Sequence, residues 1–326
     1  MKDFSRRAAL AGLLGAAPVA SALPAFAQRT APPTGSLLTP DEEPEVAITL
    51  DTWTDTYGRP TAAVKLNGQG PFSFMVDTGS TATVMAERVA LALGIESAGN
   101  LTVAGATGTA VKPYTIVDEL QTGAVTRKDI RIAILSDDGL ARGDGILGAD
   151  VFAGKRLVFA IRDKTVRIEP SRRQTRIASR GNIRLRNGTL AEVDGRVGKI
   201  PAKLMLDTGA DYCIANPALG EALAQSYPRQ QRIPRTRITG VTGHRILGEF
   251  IQLPPVDVRA FSVEGSGAVI ADAPIFNLWE LTDEPAMIVG VDLLSRLASF
   301  TIDYGARQFD AELASNLMAL NQAAFG

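Results

Sequence analysis

The sequence predicts a mainly β protein built from two similar lobes with a few short helices. Three observations carry that expectation. An apolar triplet followed by Asp-Thr-Gly occurs twice, as "FMVDTGSTATV" at 74–84 and "LMLDTGADYCI" at 204–214. Two further motifs follow each copy in the same order: "VAGATGTA" (103–110) matches "ITGVTGHR" (238–245), and "GILGADVF" (145–152) matches "MIVGVDLL" (287–294). The offsets of 130, 135 and 142 grow slowly, as loop insertions between duplicated halves would make them. Third, short β-type runs bounded by turn residues dominate the chain, and helical patterns are few.

The elements follow in order. "MKDFSRRAALAGLLGAAPVASALPAFA" has a charged start, an apolar run and a small-residue site, the pattern of a secretory signal cut after Ala27. Arg6-Arg7 gives it a twin-arginine character; an ordinary secretory signal is the alternative. Proline-rich residues 28–44 read as a flexible lead-in. "TAAVKLNGQGPFSFMVD" alternates around Asn67-Gly68, a hairpin signature. "IRIAIL" (130–135), "RLVFAI" (156–161) and "TVRIEP" (165–170) read as strands, and residues 86–94, 216–225 and a tail from about Asp310 read as helices. The expected division is a first lobe over 45–172, a second over 173–310 and a helical tail over 311–326.

Composition narrows the function. The formal net charge of −1 gives no basis for nucleic-acid or anionic-membrane binding, and no stable span is expected once the signal is removed. One cysteine, Cys213, and one histidine, His244, cannot build a Cys/His zinc site or an internal disulfide. Without a G-x-S-x-G elbow, a Ser-His-Asp triad has no nucleophile context.

The repeated Asp-Thr-Gly has its own chemistry. An apolar strand delivers the aspartate, glycine allows a tight turn, and the threonine hydroxyl can bond across a two-fold axis. If the halves pack by such an axis, Asp77 and Asp207 meet. Two touching carboxylates share one proton, and their apparent pKa values separate. One can then act as base toward water while the other, protonated, polarises a carbonyl. No metal or cofactor is required. The alternatives weighed are a non-catalytic peptide-binding protein on the same scaffold and a two-carboxylate glycosidase, whose chemistry does not need duplicated turns.

These motifs over residues 45–310 resemble the retropepsin/pepsin clan of aspartic proteases, and in particular bacterial exported members with two retropepsin-like halves in one chain. The resemblance implies an all-β bilobal fold with a cleft between the lobes and an extended peptide or protein as substrate. It implies Asp77 and Asp207 as catalytic, supported by Thr78, Gly79, Ser80, Thr208, Gly209 and Ala210. The "ILG" (146–148) and "IVG" (288–290) elements would pack beneath the catalytic loops. Gly105, Ala106, Thr107 and Gly108, with Gly240, Val241, Thr242 and Gly243, stand where substrate-covering flaps belong, although neither carries pepsin's tyrosine. One chain holds both aspartates, so a monomer suffices, working in the periplasm or outside the cell. Ser80 against Ala210 suggests that Asp77 is the charged member of the pair. Asp150 and Asp292 read as caps of the helices after them, Cys213 as a small core residue, and His244 as an exposed loop residue or a substrate contact. The aromatic run at 275–287 reads either as cleft lining or as a cover over the second lobe.

Overall fold

The computed structural model describes residues 48–50, 52–54, 58–123, 125–140, 143–172, 181–258 and 261–313; the signal and lead-in readings lie outside these. The first half runs β1 (Ile48–Leu50), β2 (Thr52–Thr54), β3 (Pro60–Leu66), β4 (Gln69–Val76), β5 (Val84–Ala86), α1 (Glu87–Ala92), β6 (Gly99–Gly105), β7 (Gly108–Thr122), β8 (Val125–Leu135), β9 (Gly145–Leu147), β10 (Lys155–Ala160) and β11 (Thr165–Pro170). The second runs β12 (Gly181–Asn182), β13 (Arg184–Arg186), β14 (Leu190–Val197), β15 (Ile200–Leu206), β16 (Cys213–Ala215), α2 (Pro217–Ser226), β17 (Arg232–Thr239), β18 (Arg245–Gln252), β19 (Val256–Val258), β20 (Phe261–Val263), β21 (Gly267–Ile270), α3 (Pro274–Leu278), β22 (Ala286–Val289), α4 (Val291–Leu294), β23 (Leu297–Asp303) and β24 (Gln308–Leu313).

The expected β3–β4 hairpin forms, with Asn67 at φ 49° and Gly68 at φ 76°, the left-handed pair that a two-residue hairpin turn requires. Its return strand ends in Phe74, Met75 and Val76, all buried in succession rather than alternately. Both faces of this strand end are covered, with all three side chains in the core cluster, and in the plane of the sheet a parallel partner, β9, sets Val76 opposite Leu147. The second half repeats this: Leu204, Met205 and Leu206 are buried, and Leu206 lies opposite Val289 in the parallel β15–β22 pair. Each aspartate therefore leaves the end of a strand walled on both faces.

Three sheets result. An eight-stranded sheet belongs to the first half and a ten-stranded sheet to the second. The third, in the order β1-β11-β10-β23-β24-β12, takes strands from both. Its central pairing, β10 with β23, sets Phe159 opposite Phe300, the rings stacked at 4.4 Å. The two halves are joined by a continuous backbone ladder, and both fall within one unit of the chain.

Two element readings are corrected. The tail reading from Asp310 meets a strand, because β24 continues to Leu313 in register with β23; the rest of that tail lies outside the described residues. Asp292 does not cap α4, whose N-terminal residue Gly290 has no side-chain cap. The Asp292 carboxylate instead accepts from the Cys213 thiol (3.2 Å) and the Ser266 hydroxyl (2.8 Å). Asp150 accepts from the Thr83 hydroxyl (2.9 Å) and backbone (3.1 Å) as well as from Val151 N (3.0 Å). Each carboxylate braces the strand that follows an Asp-Thr-Gly loop, since buried side-chain donors there leave it no reason to turn to a helix end. Among the described residues no helix is long and apolar enough to cross a membrane.

Candidate active site

Asp77 and Asp207 each begin a loop held from below by the strand that runs parallel to their own. Asp77 N donates to Leu147 O and Asp207 N to Val289 O, both at 3.1 Å. Further along, Ala149 N donates to Ser80 O and Val291 N to Ala210 O, both at 2.9 Å. The two loops are thus pinned identically by the duplicated apolar-apolar-Gly elements.

The threonines tie the loops to each other. Thr78 N donates to Thr208 Oγ1 and Thr208 N to Thr78 Oγ1, both at 3.1 Å. The hydroxyls then donate onward, Thr78 to Leu206 O (2.9 Å) and Thr208 to Val76 O (2.6 Å). Thr78 is 0% and Thr208 1% exposed, so these bonds replace water entirely. Valine at either position would orphan a buried N–H and a buried carbonyl together.

This grip brings the carboxylates to the opposite loops' glycines. A Cβ on Gly79 would lie 2.3 Å from Asp207 Cγ, and one on Gly209 would lie 2.3 Å from Asp77 Cγ. Glycine is required here for approach, and each aspartate rests on the other half's backbone. Burial pushes the Asp77 carboxyl well above the usual range, and the neighbouring Asp207 charge pushes it further. Asp207 is also raised by burial, but Gly209 N (2.8 Å) and Ala210 N (3.1 Å) both donate to its Oδ1. Asp77 accepts only from Gly79 N, at 2.8 Å, among the described backbone donors. The asymmetry is therefore the reverse of that expected from Ser80. The Ser80 hydroxyl donates to Ala82 O at 2.8 Å, a bond along its own loop that turns it away from stabilising Asp77. With two backbone N–H donors on Asp207 and one on Asp77, the described hydrogen bonds favour ionisation of Asp207 over Asp77.

The flap segments are two hairpin tips that hold one another. Thr107 Oγ1 donates to His244 O (2.9 Å), and Thr242 Oγ1 donates to Gly108 O (3.2 Å). Both threonines are buried, at 4% and 7% exposure. Each tip also crosses to the other half. Ala106 packs on a second-half cluster that contains Phe276, Trp279 and Leu281, and the Val241 carbonyl lies where a Cβ on Gly139 would be 2.3 Å away. In the run at 275–287, Ile275, Phe276, Trp279 and Leu281 are buried in that cluster, whereas Asn277, Leu278, Glu280 and residues 282–284 are exposed. His244, exposed beside this junction, has its ring against Gly108 and its Nδ1 3.1 Å from Thr242 Oγ1. Gly105 and Gly240 abut the partner tip, at Val241 and Thr107, and Gly243 takes the left-handed turn at φ 86°.

Two residues that the sequence did not single out as site residues complete the site. Arg59 Nη1 donates to Gly209 O and lies 3.3 Å from Asp211 Oδ1, reaching from the strand entry of one half to the loop of the other. Its charge lowers both carboxyls somewhat. A lone arginine 150 positions from its partner loop carries no local sequence signal. Cys213 stands 130 positions after Thr83 and does the same bracing work toward its aspartate. It is fully buried, and burial together with Asp292 pushes its thiol well up, as suits an inert core residue.

Two β halves whose Asp-Thr-Gly loops meet on a pseudo-two-fold, beneath paired hairpin tips, define an aspartic-protease architecture. Residues 62–151 and 191–293 match the family model described as aspartyl protease. Together they span more than half of the chain, which belongs to this family and carries two retropepsin-like halves in one polypeptide. Membership gives it a protease-like function. No curated relative matches the chain.

Proposed function

We propose that this protein is an aspartic endopeptidase that cleaves extended segments of exported or envelope proteins with a water molecule activated between Asp77 and Asp207. The observation that carries the reading is the reciprocal seating of the two carboxylates on each other's loop glycines, which forces them to share a proton. Asp207, charged, takes a proton from the water as its oxygen attacks the scissile carbonyl carbon. Asp77 gives its proton to the carbonyl oxygen, producing a neutral diol. Asp207 then returns its proton to the leaving nitrogen, the C–N bond breaks, and Asp77 recovers its proton from the diol hydroxyl. The substrate lies extended beneath the flap tips, bonding as an added strand. One chain supplies both aspartates, so a monomer suffices for catalysis. The 1–27 segment directs export, to the periplasm or beyond.

The test is cleavage of a denatured-protein or peptide library from pH 3 to 8, about five units around the titration of such a pair. Asp77→Asn and Asp207→Asn, each shown to be folded, are run beside the wild type. Cleavage is expected to vanish in both variants, and the mature chain recovered after export is expected to begin at Gln28. Activity surviving in either variant would overturn the mechanism. Peptide binding without cleavage by the wild type would replace it with a binding protein.

A further inference from the structure

Arg59 does more than bridge the halves. Its Nη1 donates to the Gly209 carbonyl at 3.3 Å, with a side chain only 11% exposed. That carbonyl and the Ala210 N–H belong to one planar peptide group. The same Ala210 N–H donates to Asp207 Oδ1 at 3.1 Å. A single amide thus receives a hydrogen bond from a guanidinium at its oxygen and delivers one to a carboxylate at its nitrogen. Hydrogen bonds in series through one amide polarise each other, and a permanently charged donor at the head strengthens the chain most.

The first loop has no such arrangement among the described residues. Thr81 stands where Asp211 stands in the second loop, and Asp77 accepts from Gly79 N alone of the described backbone donors. The elements beneath pin the two loops alike, and the Ser80 hydroxyl donates to Ala82 O, so the peptide relay is the difference that reaches a carboxylate. We infer that Arg59 is a positioning residue that, through the Gly209–Ala210 peptide, makes Asp207 the charged partner of the pair. The inference rests on the proposed protease mechanism, to which it assigns the base.

The charged and titratable groups facing the pair come from every surrounding element. They are Asp77 and Asp207, Arg59 before β3, Asp211 on the second loop, and Tyr304 after β23, a buried phenol that interacts electrostatically with Asp77. Behind the loops lie Asp150 and the Cys213–Asp292 pair. Arg59 carries the positive charge among these that is bonded to a candidate catalytic loop.

The experiment is a carboxyl-carbon NMR titration of the aspartates in the mature chain, assigned with Asp77→Asn and Asp207→Asn. Arg59→Met removes both the charge and the bond, and Asp207 is expected to titrate at higher pH. Asp211→Asn removes a nearby negative charge but leaves Arg59 in place, and Asp207 is expected to titrate at lower pH. Arg59→Lys keeps the charge without the planar fork, and an intermediate position is expected. In cleavage assays, kcat of Arg59→Met should fall roughly tenfold or more with little change in KM, and the acid limb should move upward with Asp207. A merely structural clamp would move the two neutralising variants in the same direction, and that result would overturn the inference. So would a wild-type titration in folded Arg59→Met. If that variant fails to fold, the opposed shifts of Arg59→Lys and Asp211→Asn decide the matter. A wild type that cleaves nothing defeats the protease reading, while the titration still decides the role of Arg59.

Discussion

Gly79 and Gly209 show how much a single hydrogen in place of a methyl group decides. Neither glycine needs left-handed backbone; each is small because the opposite aspartate occupies the space a Cβ would take, 2.3 Å from the carboxyl carbon. Gly209→Ala must push Asp77 aside or spread the loops. We expect a stability loss of about 1–3 kcal/mol in urea unfolding. Peptide cleavage should fall by roughly 100-fold, since a shift on the order of 1 Å suffices. Gly79→Ala should behave alike, because the halves are equivalent here. Full activity in either variant would mean that the carboxylates do not sit where the structure puts them. The Asp-Thr-Gly triplets were legible in the sequence because local turn chemistry and duplication mark them. The structure differs from the expectation at Ser80, whose hydroxyl donates to Ala82 O, an acceptor on its own loop. Arg59 was invisible, since what gives it a role is a loop 150 positions away.

Among the elements, the flap hairpins β6–β7 and β17–β18 repeat at their tips the logic of the threonine grip at the floor. In both places a buried threonine of each half donates to backbone of the other. The difference lies in what surrounds them: the floor is sealed by four buried strand ends, whereas the tips are backed by partly buried Ala106 and Val241 and flanked by exposed Gly243 and His244. If the tips part to admit substrate, as the proposed function requires, the tip bonds rather than the floor bonds are expected to break. Thr107→Val and Thr242→Val should each weaken the tip junction by about 1 kcal/mol. Their double-mutant cycle should show coupling, read as a change in KM for peptide with unfolding midpoints little altered. Additive effects would mean the tips act separately. The tip sequences were recognised as a repeated pair, yet nothing in "GATG" or "GVTG" says that each crosses to the other half. The misread caps at Asp150 and Asp292 have the same origin: no helix directly follows Asp150 among the described residues, and both carboxylates accept from side chains distant in sequence, Thr83 and Ser266.

In the whole molecule, the six-stranded sheet makes the halves one cooperative body, because β10 and β23 share a backbone ladder directly beneath the loops. Stability of that body should depend on the state of the buried pair. Asp77 has an ordinary value of 3.8 when exposed and is raised in the folded protein, so the native state holds a proton that the unfolded chain releases. Its contribution is complete below about 3.8 and is lost as pH rises through the folded value. A carboxamide in its place cannot ionise and escapes that loss. Asp77→Asn is therefore expected to have a higher urea midpoint than the wild type at pH 7, with the gap closing toward pH 4. A gap independent of pH would show that Asp77 titrates as an exposed carboxyl.

By itself the sequence determined what repeats and what is local: two Asp-Thr-Gly turns on apolar strands, the Asn67-Gly68 hairpin, the short helices after each loop, and a composition that points to carboxylates rather than thiols or metals. These follow from neighbours along the chain, where turn geometry and residue alternation act within a few positions. Only the tertiary structure decided what the two copies do to each other. It determined that each carboxylate rests on the other half's glycine, that Arg59 bonds the second loop, that each flap tip crosses to the other half, and that β10 and β23 fuse the halves. Duplication makes the local signals equal in both halves, and packing alone can break that equality.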